Sequence, residues 1–165
     1  MILVIESVIL CALFTLMILP PLYKDPLNMI MSYPPEIIKR VESLPQYQSK
    51  IKKREKAHII KKMAGVLLFV AVMTVVAYFS GCRNFGYAFV HIFVLMFTVN
   101  LYDLIVLDWG IFCHSERLKI KGTEDMKKEY KNYLFHLRGA VIGTILSLTV
   151  SLLSACLIQL MSVVV

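Results

Sequence analysis

The chemistry this sequence offers is concentrated in one apolar run, where Asn100, Asp103 and Asp108 stand among leucines, valines and aromatics. Carboxylates bind cations, carry protons or hold metals, provided they are not simply solvated. Asn100 and Asp103 are three apart and so share one face of a helix. Asp103 lies roughly 10 Å, at helical rise, from the end of its run. An ionisable group at that depth of a bilayer costs about 2.5–3.5 kcal/mol unless it is paired, protonated or hydrated. The default reading of such a residue is a functional site facing a bundle interior. A structural ion pair or hydrogen bond, with Tyr102, Arg138 or a loop lysine, explains it equally well. Asp108 beside Trp109 is close enough to the border to reach water, and Glu6 near the outer end of the first apolar run is expected to be solvated.

Other side chains with chemical potential lie beyond this run. Cys113-His114-x-Glu116 combines soft and borderline metal ligands, but a lone Cys–His pair is commonly incidental, so neither a metal nor a cofactor is expected. His58 and His136 fall in basic stretches and read as solvated or headgroup-facing. The Asp spacing differs from the Asp-rich magnesium motifs of intramembrane prenyltransferases. No Walker A, GxSxG, HExxH or dinucleotide-binding glycine pattern is present. The four cysteines have no CxxC spacing and suggest neither a disulfide framework nor a zinc knuckle.

The elements that must position these residues follow from composition. Of the 165 residues, 58% are hydrophobic and the mean hydropathy is +0.71. That exceeds what a soluble core of this length buries, and the apolar residues come in bilayer-length runs. The expected architecture is an all-α integral membrane protein, a single domain over residues 1–165. Its four spans cover about residues 2–22, 63–80, 87–110 and 139–163. The first is read as a retained helix because no basic segment precedes it and no small-residue cleavage site follows. A tight Gly81-to-Gly86 turn makes the second and third spans antiparallel neighbours.

The net charge of +7 would suit nucleic acid, but its distribution suits membrane lipids better. Of the 18 lysines and arginines, only Arg83 falls in the short turn; the others crowd into the two long loops. The positive-inside rule then places both basic loops in the cytoplasm and both termini outside the cell membrane. In the first loop, Pro34-Pro35 opens a helix that puts Ile37, Ile38, Val41 and Leu44 on one face. That helix is expected to lie in the membrane interface or to pack under the bundle, and a second helix from residue 46 runs into the next span. In the last span Gly139, Gly143, Ser147, Ser151 and Ala155 recur every four residues, a stripe able to seat another helix of this chain or of a second copy.

The second loop holds Gly122-Thr123-Glu124-Asp125-Met126, then Tyr130, Tyr133 and Phe135-His136-x-Arg138-Gly139. With Asp103 to Trp109 and Tyr33-Pro34-Pro35, this resembles a group of uncharacterised bacterial membrane proteins. The resemblance covers about half the chain and implies a defined cytoplasmic loop, with no activity attached. The expectation is a small multi-pass inner-membrane protein acting as a transport-related or partner-binding subunit, alone or as a homo-oligomer. Its polar site gathers Asn100, Asp103, Asp108, His114, His136 and Arg138 at the cytoplasmic end of the third span. The competing reading is a membrane enzyme acting on a lipid or isoprenoid phosphate at that interface.

Overall fold

The computed structural model describes the backbone of residues 1–164 and the side chains of residues 1–51 and 63–163; the His58 side chain lies outside the described residues. Every described element is helical. The principal helices are α1 (Ile2–Lys24), α2 (Pro35–Ser43), α3 (Pro45–Phe79), α4 (Phe85–Tyr102), the short α5 (Lys127–Tyr130) and α6 (Tyr133–Val164). Three stretches are long and apolar enough to cross a membrane: Ile2–Lys24, Phe85–Phe112 and Lys127–Val163. The apolar part of α3, Met63–Phe79, is shorter. The outer faces are apolar too, with Val4, Val8, Ile145, Leu148 and Leu152 exposed. A chain apolar both inside and outside is suited to a lipid environment.

α1 runs through Pro20 and Pro21 to Lys24, beyond the residue-22 end expected from sequence. Proline's fixed φ is helical, and the two rings forgo the bonds that would have reached the carbonyls one turn earlier. The helix stops at Asp25, whose backbone is extended and whose carboxylate accepts from Leu27 N at 3.0 Å. At the other end, α3 closes on Gly81 at φ +86°, where glycine alone is at ease. Asn84 then opens α4 by accepting from Tyr87 N at 3.0 Å.

α6 is the central helix. Its buried face packs along α4 and α3 through Ser147, Val150, Ser151, Ser154, Ala155 and Ile158. Ser147 and Ser151 satisfy their hydroxyls on carbonyls one turn back, at 2.8 and 2.6 Å, so they present small surfaces. Ser154 instead donates across to Val70 O at 3.1 Å. From Gly143 to Ala155 the stripe is therefore occupied by helices of the same chain. Gly143 shows why it must be small: a Cβ there would collide with the Asn100 side chain. Gly139, first in the repeat, faces open space.

The two basic loops fold together into a cap with its own core. Ile30, Tyr33, Ile37 and Val41 from the first loop pack against Leu118, Ile120 and Tyr130 from the second, with Phe112 beneath. The expected interfacial helix is α2. Its apolar residues Ile37 and Val41 are fully buried in this cap, so α2 packs on protein rather than offering that face to an interface. Tyr33 donates to Leu118 O at 2.9 Å; burial, with Tyr130 and Asp25 nearby, pushes its phenol above the ordinary range and keeps it a donor. Gly122 adopts φ +90°, and its carbonyl accepts from Arg40 Nε at 3.2 Å.

The two glycines of α6 separate space from propensity. Gly139→Ala is expected to leave stability unchanged or raise it by up to about 1 kcal/mol. Gly143→Ala is expected to lower it by about 1–3 kcal/mol through overpacking against Asn100. Thermal unfolding of the purified variants in detergent measures both.

Candidate functional site

α4 does not end at Tyr102. It continues as a wide π-helical stretch, Asp103–Phe112, closed by Cys113 N donating to Asp108 O at 2.9 Å. The consequence is directional. In an α-helix, residues five apart point about 140° away from each other. The i→i+5 bonding of a π-helix stacks them instead, and such widened turns recur at functional sites. Asp103 and Asp108, five apart, are thereby turned towards the same cleft.

That cleft, about 390 Å³, lies between α1, the π stretch and α6, with Ser32 and Tyr33 at its cap end. Asp108 Oδ2 accepts from His136 Nδ1 at 3.1 Å. His136 is 4% exposed, a correction to the solvated histidine expected at this position: α6 begins at Tyr133, and its first turn carries the ring inward against Phe112. The ring is buried, with the Cys113 side chain as its second polar neighbour. Asn100 donates from Nδ2 to Ala140 O at 2.9 Å and to Thr144 Oγ1 at 3.0 Å. It lines the cleft while tying α4 to α6. Asp103 lines the cleft half-buried and makes no hydrogen bond or ion pair to a described residue.

Neither named partner for Asp103 reaches it. Tyr102 bonds its hydroxyl to Thr15 Oγ1 at 2.8 Å, joining α4 to α1, and Arg138 is exposed and does not line the cleft. His114 points elsewhere: its Nδ1 lies 2.8 Å from Trp109 O, and it lines a second pocket with Lys119, Lys127, Lys128 and Lys131. There Lys119 donates to Glu116 at 2.6 Å and holds that carboxyl below its ordinary range. Of the six candidates, the cleft gathers Asn100, Asp103, Asp108 and His136, and leaves out His114 and Arg138. No group of three His, Cys, Asp or Glu among the described residues is arranged to hold a metal ion.

At the opposite end of the bundle, Glu6 is not solvated. Its Oε2 pairs with His91 Nε2 at 2.8 Å, and Ser80 Oγ donates to Oε1. One carboxylate thus joins α1 to both sides of the α3–α4 turn. Similar depth was the available signal, because Glu6 and His91 both lie between one and two turns into their helices. Comparison with protein-family models, curated proteins and solved structures finds no match for this chain.

The two aspartates should respond oppositely to neutralisation. Asp103→Asn removes an unpaired carboxylate and is expected to leave thermal stability equal or higher. Asp108→Asn weakens the bond to buried His136 and is expected to cost about 1–3 kcal/mol. Parallel melting curves in detergent check the pair, and equal losses would contradict the assignment.

Proposed function

We propose that this chain is a multi-pass membrane protein that binds a cation in the Asp103–Asp108 cleft and acts as a transport-related or partner-binding subunit. The observation that carries this reading is the unpaired Asp103 carboxylate, half-buried and open to a cleft of about 390 Å³. Keeping an uncompensated acid among apolar helices is costly, and a bound cation or proton offsets that cost. Asp108 and His136 extend the polar wall, while Asn100 fixes the spacing of the two helices that form it.

The proposal includes four spans, with both basic loops cytoplasmic and both termini outside. The charge asymmetry supports that orientation. The apolar stretch Met63–Phe79 is a reasonable fourth span: it packs beside α6 through Ser154 and Val70, and Ser80 at its end meets Glu6 near the start of α1. Four helices enclose little space for a solute path, so a homo-oligomer belongs to the proposal. Its contacts would fall on faces other than the stripe already filled by α3 and α4.

One observation favours the second reading, an enzyme acting on a lipid phosphate. The pocket beside His114 brings Lys119, Lys127, Lys128 and Lys131 to one concavity able to hold a phosphate. Neither Asp103 nor Asp108 lines it, so the acids and the lysines do not share one pocket, and the cation-binding reading is preferred.

The test is ligand-dependent melting of the purified protein against sodium, magnesium and tetramethylammonium chlorides at equal ionic strength. At least one cation is expected to raise the melting temperature of the wild type and to leave folded Asp103→Asn unmoved. Identical responses from the two proteins would overturn the reading.

A further inference from the structure

The cleft is more than a pair of acids. Phe14, Tyr33, Phe112 and Phe135 stand in the same wall as Asp103 and Asp108, and the Tyr33 and Phe112 rings meet edge to face at 4.8 Å. Aromatic faces with carboxylates are the chemistry that holds ammonium groups, because ring quadrupoles attract a diffuse cation that carboxylates then neutralise. A small, strongly hydrated metal ion gains little from such walls. His136, 4% exposed and bonded to Asp108 through Nδ1, is a further buried polar group in this wall.

A second cavity adjoins it. A groove of about 190 Å³ runs between α1, α3 and α4, and its lining is wholly apolar, including Leu10, Met17, Val72 and Met96. Phe14 belongs to both walls. Along α4, the cleft is lined by Asn100, Asp103 and Asp108, whereas the groove is lined by Met96 and Val99. The groove therefore lies farther from the cap, towards the middle of the bundle. An acidic, aromatic compartment near the border followed by an apolar one towards the centre matches the layout of a lipid-like molecule lying in a leaflet.

We propose that the cleft binds an amphiphile with an ammonium headgroup. The headgroup sits between Asp103, Asp108 and the aromatic rings, and the hydrocarbon chain passes Phe14 into the groove. This rests on the cation-binding reading and specifies its substrate class.

The test uses full-length protein in non-ionic amphipol, titrated with dodecyltrimethylammonium and separately with tetramethylammonium, its headgroup alone. Binding is followed through the fluorescence of Trp109, the single tryptophan, next to Asp108 in sequence. The amphiphile is expected to bind more than about tenfold tighter, since burying only two methylenes gives that much. Asp103→Asn is expected to weaken both ligands by about tenfold or more. Val72→Phe, which narrows the groove, leaves the acids alone and keeps Trp109 the single tryptophan, is expected to remove the advantage of the chain and spare tetramethylammonium. Equal affinity for the two ligands would overturn the amphiphile and leave the cation site standing. Tight amphiphile binding that is indifferent to both Asp103→Asn and Val72→Phe, or matched by dodecyl sulfate, would overturn both readings.

Discussion

An amide group cannot be left unsatisfied among apolar helices, and Asn100 meets that constraint by reaching out of α4 into α6. Its two donors go to Ala140 O and Thr144 Oγ1, and its bulk occupies the space that a side chain at Gly143 would need. Helices in lipid gain little from the hydrophobic effect and associate through close approach and polar bonds. This contact supplies both. It sets the α4–α6 separation at the level where the cleft begins, so the site and the helix packing depend on one residue pair.

From that anchor, the backbone changes character. α4 widens into a π-helical stretch immediately after Tyr102, and this widening brings Asp103 and Asp108 to one side. The two acids are then treated differently. Asp108 is bonded to His136, whereas Asp103 is left to the cleft. Two like charges close together disfavour each other's ionised form, and the bond to His136 compensates only Asp108 directly.

The cap has a structural role with functional reach. Tyr33, Phe112 and Tyr130 pack mutually, and Phe112 also meets His136. Tyr33, Thr123 and Tyr130, which the sequence pattern singles out, are buried in this cap. Thr123 and Tyr130 bond each other at 2.8 Å, and Tyr130 accepts from Ile120 N at 2.9 Å. A loop held this firmly fixes one wall of the cleft, which a solvated loop would leave undefined.

The sequence by itself determined the helical class, the apolar stretches and the small-residue face of α6, and it singled out Asp103 as a charge in an apolar run. Each of these is a local property: hydropathy along a run, a four-residue repeat, or the cost of one charge. Tertiary structure decided which residues meet. The partnership of Glu6 with His91, the burial of His136 and the exclusion of His114 and Arg138 depend on helix rotation and start positions, which hydropathy does not encode. The sequence placed Asp103 and Asp108 in one polar site without the geometry that brings them there. An α-helical period applied to the sequence points them apart, and only the widened turn, a feature of the folded backbone, points them together.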